Sequence, residues 1–140
     1  FVPAPSAEAK ESAAPPATPE SVAAAFGAVR YQLESAETDG VPRLQYLVET
    51  ENYPEIMEFT KLYDGAFRKG KMKPARKFLT DGKAKEDAQM LSNAVTFDLI
   101  GINKSSRPGQ ESREGAMKYL EELKADVNKF LDLEGTVSFD

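Results

Sequence analysis

The 140-residue sequence contains no histidine, no cysteine and no tryptophan. Without Cys and His there is no Cys/His zinc site, no disulfide and no His-ligated haem. There is equally no Ser-His-Asp or Cys-His catalytic arrangement. The Glu-x-x-His pairs of di-iron helical bundles are excluded as well. A chain without Cys suits a reducing or an oxidising compartment equally. No run approaches the roughly 18 apolar residues of a membrane span, so a soluble or peripheral protein is expected. A basic, apolar, small-residue leader is also missing, which leads us to expect that any targeting segment has been removed.

What remains is 41% hydrophobic and 29% charged. A chain of this length holds one domain and buries roughly two-thirds of its surface without a staple. Acidic residues outnumber basic ones, 23 to 18, for a net charge of −5. Such a chain is a poor general binder of nucleic acid, whose affinity comes largely from phosphate neutralisation.

Residues 1–18 differ from the rest. Six are Ala and four are Pro, namely Pro3, Pro5, Pro15 and Pro16. Repeated Pro removes backbone donors and biases its neighbours to extended conformations, so the segment reads as an N-terminal arm. It is either a leader without fixed structure or an arm that orders only against a partner.

Thr18-Pro19-Glu20-Ser21 then carries helix-start chemistry: a cap, Pro in the first turn and an early acid. Val22, Phe26, Val29, Leu33 and Ala36 recur at steps of four and three, and Asp39-Gly40 ends the first stripe. Val41 to Thr50, with Leu44, Tyr46, Leu47 and Val48, reads as one or two helical turns. Asn52-Tyr53-Pro54-Glu55 restarts a helix with Asn as cap, and Ile56, Phe59, Tyr63 and Phe67 form a second stripe that stops at Gly70. Lys71 to Gly82 reads as a long connection, broken by Pro74, from which Phe78 and Leu79 tuck onto the core. The third stripe is Ala84, Ala88, Leu91, Val95, Leu99 and Ile102, and Asn103 to Gly109 is a loop. Glu111 or Ser112 opens the fourth helix, with Ala116, Leu120, Leu123, Val127, Phe130 and Leu131 on its apolar face. Thr136-Val137-Ser138-Phe139 is too short an alternation to make a sheet. The expected architecture is all-α: an antiparallel up-down four-helix bundle over 19–133, the extended arm over 1–18 and a short irregular C-terminal tail over 134–140.

The sharpest polar feature is charge segregation. Arg68, Lys69, Lys71, Lys73, Arg76 and Lys77 place six cations in ten residues with no acid among them. Upstream, Glu34, Glu37, Asp39, Glu49, Glu51, Glu55 and Glu58 are opposed nearby only by Arg30 and Arg43. A charge run is most often a solvated face. This one is expected at a helix end and on the following loop, where it suits steering onto an acidic protein surface. Nucleic acid fits less well, because no aromatic stacking groups are interleaved. An anionic membrane fits less well too, because no basic amphipathic helix accompanies the run.

Carboxylate catalysis requires two acids converging across a cleft. Glu86/Asp87 and Glu121/Glu122 are adjacent on helices and splay apart. Asp98, between Phe97 and Leu99, is the one acid among large apolar neighbours, and reads as a residue at the stripe's edge or paired with a cation from another helix. No calcium loop and no phosphate-binding Gly-x-x-x-x-Gly-Lys-Ser/Thr occurs. No catalytic, cofactor or metal residue is assigned, and the expectation is a protein that is not an enzyme.

A Pro-rich arm before an up-down bundle resembles the PsbQ-type extrinsic subunits of photosystem II. Asn52-Tyr53-Pro54-Glu55-Ile56 resembles that family's aromatic-Pro helix opening. Ala94-Val95-Thr96-Phe97-Asp98-Leu99-Ile100 resembles its aromatic-Asp-Leu stretch, and Met117-Lys118-Tyr119-Leu120-Glu121 through Leu131 its closing helix. The long connection, the short Ala-rich arm and the tail depart from the green-plant form and point to an algal, diatom-type relative. Phe1 as first residue is similar to diatom plastid proteins after signal cleavage. The resemblance implies a lumenal subunit, peripheral to the thylakoid membrane in a plastid. It implies docking on the photosystem II core beside other extrinsic subunits, help in retaining calcium and chloride, and no cofactor of its own. The arm, with its four prolines, and the run Arg68 to Lys77 are the expected partner-binding residues. The chain is expected to be a monomer when free. Rival readings are a PsbQ-like subunit of another thylakoid complex, or a helical bundle acting as a ligand-binding or adaptor protein.

Overall fold

The computed structural model describes residues 17–37 and 39–139. Most of the expected arm, with Pro3, Pro5, Pro15 and Pro16, lies outside the described residues. The described residues form helices and the turns that join them, with no strand among them. No described helix is long and apolar enough to cross a membrane.

Helix α1, Pro19–Glu34, begins where its chemistry demands. Thr18 sits in extended geometry and accepts from the Ser21 N–H at 3.0 Å, while the Ser21 hydroxyl accepts from the Thr18 N–H, a reciprocal cap. Its buried face is Val22, Phe26, Val29 and Leu33. Ala36, expected to prolong this stripe, is exposed, because Ser35 turns to extended backbone and ends the helix first.

Helix α2, Val41–Glu49, buries Val41, Leu44, Leu47 and Val48 and leaves Tyr46 outside. The turn to α3, Tyr53–Tyr63, passes through Glu51 at φ 53, a left-handed conformation that costs a non-glycine residue energy. Asn52 makes no side-chain cap here, contrary to expectation; the start rests on Pro54 and Glu55 in the first turn.

The main correction concerns residues 64–76. The helical path does not stop at Gly70. It widens into a π-type stretch, Asp64–Met72, and re-tightens into α4, Lys73–Arg76. The Lys73 N–H reaches back five residues to the Arg68 carbonyl. The wider turn suits the apolar spacing: Tyr63, Phe67 and Met72 are separated by four and then five residues, and all three are buried. Tyr63 and Phe67 stack with ring centroids 5.2 Å apart. Pro74 falls in the first turn of α4, so it does not break the path. The true connection is residues 77–81, from which Phe78 and Leu79 enter the core as expected.

Helix α5, Gly82–Lys104, is capped by Asp81, whose carboxylate accepts from the Ala84 N–H at 2.9 Å. Helix α6, Arg113–Asp132, is capped likewise by Ser112 on the Gly115 N–H. It buries Ala116, Leu120, Leu123, Val127, Phe130 and Leu131. A 3-10 turn, Leu133–Thr136, follows and is held by Arg30–Glu134 at 3.6 Å.

Helices α5 and α6 form the most extensive pairing. Gly101 meets Tyr119 while Asp98 acts on Asp126, so their directions oppose. Phe26 and Phe130 stack at 5.6 Å to join α1 to α6. Tyr63 donates to Gln32 at 2.8 Å, and Asn103 to Thr60 at 3.0 Å, joining α3 to α1 and α5. One apolar core results.

At Gly101 a Cβ would lie 2.5 Å from the Tyr119 ring. Gly101→Ala should therefore cost stability by overpacking, about 1–3 kcal/mol, outweighing the roughly 1 kcal/mol that Ala gains over Gly in a helix. A thermal melt of Gly101→Ala, alone and combined with Tyr119→Ala, checks this. The single variant should melt lower, and the double variant should show the steric part relieved.

Candidate docking surface

From Arg68 to Arg76 the basic run lies on a helical path rather than a loop, with Lys77 at the helix C-cap, and that placement divides its members. Arg68 turns to Asp64, with Nη2–Oδ2 at 3.1 Å and Nε–Oδ1 at 3.3 Å. Asp64 also accepts from the Thr96 hydroxyl at 2.7 Å. Burial pushes its carboxyl up, but the bonds from Arg68 and Thr96 and the Arg68 charge outweigh that, holding it below the ordinary value. Arg68 is thus committed to joining the π-type stretch to α5. Lys69 is exposed and Lys71 half-buried.

Arg76 and Lys77 each lie about one helical turn beyond Lys73, so both can neighbour it. With Lys85, Gln89 and Leu79 they line an open cleft of about 420 Å³. Arg76 is steadied by a bond from Nη1 to the buried Ser92 hydroxyl at 3.3 Å. Among the described residues no carboxylate pairs with Lys73, Arg76, Lys77 or Lys85. The neighbouring Lys83 is different, being paired with Asp87 at 2.8 Å. Lys85 and Gln89 were not singled out from sequence. They lie on another helix, and only the hairpin between α4 and α5 brings them to the run.

The cleft is an anion seat by composition: four donors of positive charge, a neutral amide and one apolar wall. Phosphate- or carboxylate-bearing groups satisfy such a set. Among the described residues, no group of three or more acidic side chains is arranged to hold a metal ion.

A second cluster lies between α5 and α6. Asp98 is only 6% exposed, and its Oδ2 lacks a hydrogen-bond partner. Of the two expectations for Asp98, a place at the stripe's edge or a paired cation, the second is not met: among the described residues no cation pairs with it. The group facing it is another carboxylate, Asp126, with Glu122 one turn away. Burial above all, then the hydrogen bond with Asp126 and the charges of Asp126 and Glu122, push Asp98 up to about 8. A protonated Asp98 can donate to Asp126, as two carboxyls do when they share a proton. Glu121 points elsewhere and pairs with Lys124 at 3.3 Å.

The pH dependence follows in sign. The folded chain holds the Asp98 proton up to about 8, whereas the ordinary value is 3.8. Stability contributed by that proton is fully present below 3.8 and is lost as pH rises through about 8. Urea midpoints at about pH 5 and pH 9 should show the wild type weakening with rising pH. Asp98→Asn, which keeps a donor toward Asp126 without titrating, should flatten that slope.

No protein-family model, curated protein or solved structure matches this chain.

Proposed function

We propose that this chain is a non-catalytic docking subunit that seats an acidic protein surface on its α4–α5 cleft. The observation that carries this reading is the cleft itself. Four cations with no acidic partner among the described residues converge on a chain whose net charge is −5, so the basic surface is a local exception. A patch of this kind orients an acidic partner during approach.

The finer architecture we propose is an up-down four-helix bundle. Its members are α1, the path from α3 through α4, α5 and α6, with α2 as an added short helix. The capped helix starts, the antiparallel α5–α6 pair and the single core support it. The resemblance to PsbQ-type subunits supplies the partner: the lumenal face of the photosystem II core, beside other extrinsic subunits. In that setting the chain is a peripheral protein of the plastid thylakoid lumen that helps retain calcium and chloride and carries no cofactor. Each exposed charge pair contributes at most about 1 kcal/mol, so the cleft orients the complex and apolar contacts must hold it.

Photosystem II particles stripped of extrinsic subunits and titrated with the chain over a salt series test this reading. We expect stoichiometric rebinding that weakens with salt and restores oxygen evolution. The Lys73→Glu/Lys77→Glu variant should bind at least about tenfold more weakly, with a flatter salt dependence. Absence of rebinding with the other extrinsic subunits present would overturn the assignment.

A further inference from the structure

The cleft opens onto a second surface that the basic run does not include. Along α5, Met90, Asn93, Phe97, Ile100 and Lys104 recur at alternating steps of three and four, and all five are exposed. Met90 and Phe97 are each 68% exposed and Ile100 40%. Scattered apolar side chains on a surface need no explanation, but these three share one face of one helix. Alternation of three and four is the spacing of a coiled-coil seam, with Asn as a polar position among apolar ones. The opposite side of α5 is already committed: Ala84, Ala88, Val95, Leu99 and Ile102 lie in the core. Met90 to Lys104 covers about 21 Å of helix, room for a second helix to lie alongside.

The seam and the cleft are continuous, because Gln89 lines the cleft and its amide donates to Asn93 at 3.4 Å. Charge identifies the occupant. The acids of α5 are Glu86 at its start, Asp87 paired with Lys83, and Asp98 buried against α6. From Gln89 to Lys104 the seam has no exposed carboxylate of its own helix and has cations at both ends. The α6 acids Asp126 and Glu122 stand beside it at Asp98, so the positive charge that selects an acidic partner is that of the cleft end. A second copy of this chain fits badly. Laid parallel it would set Lys85 against Lys85, and antiparallel Lys85 against Lys104.

We propose that the exposed face of α5 is a helix-docking groove that takes an acidic amphipathic helix of another protein. Met90, Phe97 and Ile100 would seat its apolar edge, and Lys73, Arg76, Lys77 and Lys85 its carboxylates. This deepens the docking reading above and rests on it for the choice of an acidic partner. Phe97 is the expected anchor, as the largest exposed apolar side chain near the middle of this face, because a few large side chains that become buried carry most of an interface's energy.

A synthetic helix of about three heptads, with Leu at a and d and Glu at the flanking positions, serves as probe. Its Glu residues disfavour self-association, and a twin with Lys in place of Glu is the control. Titrated into the isotope-labelled full chain, the Glu helix should shift amides of Met90 to Lys104 and Lys73 to Lys77. The Lys twin should not. Phe97→Ser and Met90→Ser, both surface changes that leave the circular dichroism intact, should each weaken binding about tenfold. Shifts confined to other helices, or equal binding of the twin, would overturn the groove. So would a dimer in sedimentation that Phe97→Ser abolishes, or Phe97-dependent binding to phosphatidylglycerol vesicles without any response to the helix. Photosystem II rebinding separates the two claims. If Lys77→Glu blocks rebinding and Phe97→Ser does not, the groove falls and the docking reading stands. If the Glu helix binds but stripped photosystem II does not take up the chain, the reverse holds.

Discussion

The shape of the basic cleft depends on the helical path from Tyr53 to Arg76 being continuous. An α-helix repeats its faces at steps of three and four, so the five-residue step from Phe67 to Met72 would carry Met72 away from the core. The π-type stretch absorbs that step, and Tyr63, Phe67 and Met72 all stay buried. Because the backbone stays helical, Lys73, Arg76 and Lys77 emerge at one cleft. On the loop that the Gly and Pro residues suggest, their relative positions would be unset. Arg68 contributes from inside the stretch by tying Asp64 and, through it, Thr96 of α5.

Helix α5 carries three different loads. One side fills the core, a second approaches α6 closely enough that Gly101 has no room for a Cβ, and a third is exposed and partly apolar. Asp98 sits where the first two meet. A carboxyl excluded from water beside another carboxylate retains its proton, and this makes the α5–α6 seam sensitive to alkaline rather than acidic conditions. The seam is accordingly most secure where carboxylates are readily protonated.

Charge on this molecule is arranged in two ways. Arg30, Lys61, Arg68, Lys83 and Lys124 are paired with acids. Among the described residues the cleft cations are not, although the chain has acids in excess. Helix geometry accounts for this: the pairs at Arg68, Lys83, Lys61 and Lys124 use partners three or four residues away on the same helix. The run from Arg68 to Lys77 contains no acid, so its later members have no such partner. Their positive field therefore remains available to an incoming surface.

The sequence by itself determined that the chain is all-α. Stripes such as Val22-Phe26-Val29-Leu33 and Leu120-Leu123-Val127-Phe130 need only local periodicity to be read. The caps at Thr18 and Ser112 need only the hydrogen-bonding chemistry of the next three residues, whereas Asp81, which reads as the end of a connection, is seen as a cap only once α5 is in place. Burial of Phe78 and Leu79 was legible too, since two adjacent large apolar groups in an otherwise polar connection gain most by packing onto the core. Only the tertiary structure decided that residues 64–72 take a wide helical turn, because local signals at Gly70 and Pro74 are overruled by what Met72 gains from the core. Only it could bring Lys85 and Gln89 to the basic run, and Asp126 to Asp98. Those partners stand on different helices, and sequence spacing carries no information about which faces two helices turn to each other.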